Sequence, residues 1–106
     1  MSDSTLDVTL GRVLVVLPAY NEEQGLELLL ARMKRTFELI QRDYEIIVVN
    51  DASKDRTEEV ATKASKHMNV LVRTHEVNQG LSGAIETGLR TAVNLAEPHD
   101  LSLIHI

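Results

Sequence analysis

Two short runs of apolar, largely β-branched residues, Val13-Leu14-Val15-Val16-Leu17 and Ile46-Ile47-Val48-Val49, constrain this chain more than any other feature. Neither alternates with polar residues, so each must be covered on both faces, which is the pattern of interior strands in a parallel sheet. Parallel neighbours need a crossover, and the stretch between the runs supplies one. Leu26, Leu29, Leu30, Met33, Phe37 and Ile40 recur at helical spacing, while Glu27, Arg32, Lys34 and Arg35 fill the opposite side. After the second run, Val60, Ala61, Ala64 and Met68 repeat the helical pattern, opened by Asp55 and Glu58 at the spacing of a capping box. Val70 to Arg73 reads as a third, weaker strand. Leu81, Ile85, Leu89, Ala92, Val93 and Ala96 mark a third helix that stops near Pro98, where a backbone donor is missing. The order β-α-β-α-β-α predicts an α/β, Rossmann-like fold with a parallel sheet and right-handed crossovers.

Composition narrows the function classes. With 106 residues the chain is one small domain or part of one. Eleven Lys and Arg against sixteen Asp and Glu give a net charge of -5, so a broad basic face for nucleic acid is not expected. The absence of cysteine excludes disulfides and thiolate metal sites. The N-terminal segment carries acids and no apolar core flanked by basic residues, unlike a signal peptide, and Val13 to Leu17 is too short to cross a bilayer. A cytoplasmic location is expected. His67, His75, His99 and His105 share no metal-ligand spacing and are expected to be surface or incidental residues.

In a parallel sheet, ligands meet the carboxyl ends of the strands. Tyr20, Asn21 and Glu22 after the first strand and Asn50, Asp51, Ser53 and Asp55 after the second should therefore face one crevice. No glycine-rich turn follows the first strand, so an ordinary dinucleotide site is not expected. Carboxylates accept hydrogen bonds from ribose hydroxyls and base N–H groups, and a tyrosine ring offers a flat stacking face. That chemistry suits the nucleoside end of a nucleotide. Local structure competes with it: Asn21 can cap the first helix, Glu22 or Glu23 can complement its dipole, Asp55 can cap the second, and Gly80 and Gly83 can be turn residues. Asp51 is harder to assign to structure alone, because an acid at the end of a buried strand must be solvated, paired or used.

"LPAYNEE", "VVNDASKDRT" and "NQGLSGAIETGL" resemble, in order and spacing, the first half of family 2 inverting glycosyltransferases of the GT-A fold, with the polyprenol- or dolichol-phosphate mannosyl- and glucosyltransferases nearest. The resemblance covers roughly residues 12 to 97. It implies that Pro18, Tyr20, Glu22 and Asp51 line the pocket for the base and ribose of a UDP- or GDP-sugar, and that Asn78 and Gly80 to Ala84 lie near its ribose and pyrophosphate. A lipid-phosphate acceptor and membrane association of the full-length form are further implications. Two departures stand out: Leu81 replaces the Lys or Arg that many relatives place there, and Asn50 replaces the first of two adjacent acids. The resemblance also implies a Mg2+ or Mn2+ ion on a D-x-D motif in the next strand, and a general base beyond it. This chain contains neither a D-x-D pair nor anything after "LSLIHI", so no catalytic or metal-binding residue is expected in it.

Residues 1–100 are accordingly read as the truncated nucleotide-sugar-binding part of a GT-A domain. Residues 101–106 resemble the in-frame translation of a transposon-based sequencing adapter and are read as a foreign tail, with a genuine strand as the competing reading. The alternative function is a stand-alone nucleotide-binding or regulatory α/β module. An unrelated nucleotidyltransferase would require a basic, glycine-rich first loop that is absent.

Overall fold

The computed structural model describes residues 11–96 and 103–105. Four parallel strands, β1 (Val13–Ala19), β2 (Tyr44–Asn50), β3 (Val70–Thr74) and β4 (Leu103–His105), stand in the order β3-β2-β1-β4. Helices α1 (Glu23–Leu39), α2 (Thr57–Ala64) and α3 (Gly80–Leu95) make the crossovers between them. The expected β-α-β-α-β-α order is therefore present, with strand ends extended by up to two residues. The main boundary shift is in α2, which ends at Ala64; Met68 is buried from the turns that follow rather than from the helix.

Strand alternation divides the core. Val13, Val15, Leu17, Ile46 and Val48 face Leu26 and Leu30 of α1 and Ala61 and Ala64 of α2. Leu14, Val16, Ile47 and Val49 face Ala84 and Ala92 of α3 on the other side. Six consecutive-face residues, Val15, Val16, Ile46, Ile47, Val48 and Val49, are at most 1% exposed, which explains why neither run shows polar alternation. On the α3 side the helix lies against the sheet through Gly88: a Cβ there would fall 2.2 Å from Val16 Cγ1. A glycine inside a helix costs about 1 kcal/mol relative to alanine, and here it permits backbone-to-sheet contact.

The register places the functional loops. Ala19 pairs with Asn50, and Asn50 with Thr74, so three strands end in one row. The ladder runs one residue further, because Asp51 N–H donates to Ala19 O and His75 N–H to Asn50 O, each at 2.9 Å. Tyr20 and Asp51 thus stand at the same edge, as the sequence predicts. At the far side of β1, residues 103–105 pair with Leu14, Val15 and Val16. An apolar segment fits that open edge on either reading of the tail. The expectations for His99 and for residues 1–10 fall outside the described residues.

Candidate functional site

The loops past the strand ends are tied to one another rather than left free. Asn21 adopts a positive φ of 52°, its N–H donates to Ser53 Oγ (2.9 Å), and its Oδ1 accepts from Lys54 N–H (2.9 Å). The free amides at the start of α1 are met from the neighbouring loop: Glu22 N–H donates to Thr57 Oγ1 (2.7 Å) and Glu23 N–H to Asp55 Oδ2 (3.3 Å). Asn21 therefore does not cap α1. It latches the two loops together, and the exposed Glu22 side chain is left toward solvent. Asp55 does serve the start of α2, accepting the Thr57 N–H (2.9 Å) and the Thr57 hydroxyl. The second half of the expected capping box is missing, because Glu58 instead accepts a hydrogen bond from the Thr74 hydroxyl at 3.1 Å.

Asp51 organises the third strand end. It is 4% exposed, and its two oxygens take the backbone N–H groups of Gln79 (Oδ1, 2.7 Å) and Gly80 (Oδ2, 2.9 Å). His75 Nδ1 lies 2.8 Å from Oδ1, and Asn78 Nδ2 donates to the Asp51 carbonyl at 3.1 Å. Burial pushes the Asp51 carboxyl up, but the hydrogen bonds from His75, Gln79 and Gly80 and the attraction of the imidazole outweigh it and hold the pKa below the ordinary value. Gly80 sits at φ +78°, a conformation that favours glycine, and open space surrounds the missing Cβ. Gly83 has a different purpose from the ligand approach its position suggests: a Cβ there would lie 2.6 Å from Gln79 Cβ, so its smallness serves the helix start itself.

Between these elements is a cavity of about 240 Å³ lined by Pro18, Ala19, Tyr20, Glu22, Asp51, Asn78, Gly80, Leu81 and Ala84. Of the residues expected at the crevice, Pro18, Tyr20, Glu22, Asp51, Asn78, Gly80, Leu81 and Ala84 line it, whereas Asn21, Asn50, Ser53, Asp55, Ser82 and Gly83 do not. Tyr20 is 46% exposed, and Leu81, 64% exposed, is apolar where a cation would meet phosphate. A larger hollow of about 590 Å³ lies between α1 and α2, where Leu30, Val60, Ala64 and Met68 are joined by charged side chains that include Glu23, Arg56, Glu59 and Lys63. We take the smaller cavity as the candidate site because it stands at the carboxyl ends of β1 and β2, where ligands of a parallel sheet bind. Among the described residues no three His, Asp or Glu side chains converge on a common point. Of the two acids at the cavity, Asp51 is already engaged by backbone amides.

These features can be set beside known proteins. Residues 14–94 match the domain described as glycosyl transferase family 2. The chain belongs to that family. It is 38% identical over 81 residues to a dolichol-phosphate mannosyltransferase of Pyrococcus furiosus, covering 76% of this chain and 22% of that protein. It is also 38% identical over 85 residues to an undecaprenyl-phosphate 4-deoxy-4-formamido-L-arabinose transferase of Pectobacterium carotovorum, covering 76% and 25%. Among solved structures, S. aureus TarS 1-349 in complex with UDP superposes with a TM-score of 0.61 at 29% identity, over 89% of this chain and 27% of that one. The mannosyltransferase PcManGT from Pyrobaculum calidifontis, in complex with GDP-Man and Mn2+, gives 0.56 at 27%, over 78% and 25%. The neighbours are GT-A glycosyltransferases, and the chain spans between 22% and 32% of the first curated relatives it matches.

Within this family 2 domain, sequence reasoning missed His75 and Thr87. His75, expected to be a surface or incidental residue, is buried, with Nε2 2.7 Å from Thr87 Oγ1, whereas His67 is exposed. The signal was available. His75 stands one residue past β3, aligned with the position that made Asp51 a candidate past β2.

Proposed function

We propose that this chain is the donor-binding half of a glycosyltransferase that moves a sugar from a UDP- or GDP-sugar to an acceptor such as a polyprenyl phosphate. The observation that carries the reading is the cavity at the shared carboxyl edge of β1 and β2, lined by Pro18, Tyr20, Glu22, Asp51, Asn78, Gly80 and Ala84 in a family 2 domain. Solved neighbours hold UDP and GDP-Man, and similar proteins are named for transfer to dolichol- and undecaprenyl-phosphate. Tyr20 offers an exposed ring to a base, and Glu22 offers free acceptors to base N–H or ribose hydroxyls. Three hydrogen bonds occupy Asp51, which leaves one of its roughly four acceptor positions for a ligand, so its role is partly to shape the wall.

The chain alone supplies no transfer chemistry in this reading. Mg2+ or Mn2+ belongs to the whole enzyme, on ligands outside these 106 residues, and association with the cytoplasmic face of a membrane is likewise a property of the whole. We further propose that residues 101–106 are a foreign tail, so that their deletion leaves nucleotide binding unchanged.

Calorimetric titration of the chain with UDP, GDP and their sugar conjugates tests the reading, with Tyr20→Ala and Glu22→Gln as site variants. Weak binding of one nucleotide, reduced about tenfold by each variant, is the expected result. Metal-dependent sugar transfer by the chain itself would refute the half-enzyme reading, and binding unaffected by both variants would move the site elsewhere.

A further inference from the structure

The structure assigns His75 and Thr87 as positioning residues that set the wall of the donor cavity through Asp51, an inference that rests on the nucleotide-binding reading above. Neither side chain lines the cavity. They form a chain behind it: Asp51 Oδ1 to His75 Nδ1 at 2.8 Å, then His75 Nε2 to Thr87 Oγ1 at 2.7 Å. The His75 side chain is 8% exposed and that of Asp51 5%, so water does not compete for these bonds. The backbone adds a second restraint, since His75 N–H donates to Asn50 O at 2.9 Å and ties the end of β3 to the end of β2.

The chemistry fixes the direction of the first bond, and that of the second when the ring is neutral. An ionised carboxylate only accepts, so Nδ1 carries the proton toward Asp51. In the neutral ring Nε2 is then an acceptor, and the Thr87 hydroxyl donates to it. Held this way, the Asp51 carboxylate cannot rotate about its terminal bond, and each oxygen stays on one amide, Gln79 on Oδ1 and Gly80 on Oδ2. Those two residues begin α3, and the same turn carries Asn78, Gly80, Leu81 and Ala84 into the cavity. Without His75 the carboxylate gains a rotamer, the α3 start loosens, and the cavity wall loses its shape while the sheet remains. A consequence follows for phosphate: the first two amides of this helix start are spent on Asp51 and are not offered to a diphosphate.

The test has one arm that needs no ligand and no variant. Nitrogen-15 spectra of the unaltered chain should show the His75 ring as the Nδ1–H tautomer, and an Nε2–H or mixed ring would overturn the assignment. In the second arm, His75→Ala should speed amide hydrogen exchange at Gln79 and Gly80 by about tenfold and weaken UDP or GDP binding by a similar factor. His75→Asn, whose side-chain N–H can replace Nδ1–H, should restore both, whereas the exposed His67→Ala should change neither. Unchanged exchange in His75→Ala, or an asparagine variant as damaged as alanine, would overturn the proposal. If His75→Ala does not fold, Thr87→Val carries the same test, with faster exchange at Gln79 and Gly80 expected and unchanged exchange refuting the relay. Should the unaltered chain bind neither nucleotide, the donor-site reading fails on its own while tautomer and exchange still decide the role of His75.

Discussion

The two faces of the sheet are covered in different ways. On one face, α1 stands off behind large side chains, Leu26 and Leu30 flanked by Leu29, Met33 and Phe37, and α2 adds Ala61 and Ala64 beside Met68. Phe37 and Tyr44 stack there at 4.7 Å. On the other face α3 lies directly on the strands through Ala84, Gly88 and Ala92, with no room at Gly88 for a methyl group. Long side chains have alternative rotamers and accommodate small shifts, whereas a backbone resting on a strand has none. The helix starts differ in the same sense. Single hydrogen bonds donated to buried Thr57 and half-buried Asp55 hold the α1 start, while one buried carboxylate grips two amides at the α3 start. The cavity wall is built on the stiffer face, which is where a site needs its geometry fixed.

That contrast can be broken most strongly on the thicker face. Leu30 is 1% exposed, and Leu30→Ala should cost roughly 2–5 kcal/mol through lost burial and the cavity left behind. The expected signature is a large fall in melting temperature with nucleotide affinity of the remaining folded protein within about twofold of the parent, because the site is remote. A specific loss of affinity at full folding would mean that the two faces are not independent.

Next comes Asp51→Ala, which leaves the Gln79 amide and His75 Nδ1 without their acceptor and the Gly80 amide on Asn78 Oδ1 alone, and should cost about 3 kcal/mol. Affinity should fall at least tenfold here, in contrast to Leu30→Ala and to Asp55→Ala, whose carboxylate lies at the looser loop junction. The pH dependence follows from the direction of the shift. The native Asp51 pKa is below the ordinary value of 3.8, so its contribution is complete above that value and is lost as pH falls through the lower native one. Melts of the parent chain should therefore steepen their decline below about pH 4, and those of Asp51→Asn should decline less. Parallel curves would show that Asp51 is not held as described.

How much of this was legible beforehand depends on range. Val13 to Leu17 and Ile46 to Val49 announced buried parallel strands because an unbroken apolar run has few other places to go, and the strand-end rule then put Tyr20, Glu22 and Asp51 on one edge. What the sequence could not convey was which donors each acceptor would meet. Asn21 latches to Lys54, 33 residues away, and Asp51 meets Gln79 and Gly80, 28 and 29 residues away. Those pairings exist only after the register Ala19 to Asn50 to Thr74 has formed. His75 belongs with them: its place one residue past β3 marks it as Asp51 is marked past β2, but its partners Asp51 and Thr87 lie 24 and 12 residues away.

Gly88→Ala sharpens the comparison from the α3 side. Its Cβ would meet Val16 at 2.2 Å, and overpacking of this kind costs typically 1–3 kcal/mol. Because the helix must move away from the sheet as a body, nucleotide affinity should fall along with the melting temperature. Gly25→Ala on α1, where nothing lies within 4 Å of the added carbon, should raise stability slightly instead. A harmless Gly88→Ala would show that α3 is free to shift and that the stiffness attributed to this face is absent.

The smallest effect separates strain from contact. Ala52 follows Asp51 at φ 61°, a left-handed conformation that costs an L-residue roughly 1–2 kcal/mol. Gly80 occupies the same region at φ +78° without that penalty. Ala52→Gly removes the strain but gives the unfolded chain more freedom, which offsets about half of the gain, so a net stabilisation of about 0.5 kcal/mol is expected. Gly80→Ala does the reverse: its Cβ enters open space, and the whole cost, about 1 kcal/mol, is backbone strain at the start of α3. The two substitutions should thus move the melting temperature in opposite directions. Only Gly80→Ala should also weaken nucleotide binding, because only it acts on the turn that forms the cavity wall. If Ala52→Gly weakens binding as well, the left-handed turn after β2 is itself part of the site, and the division between a supporting loop and a positioning loop would have to be redrawn.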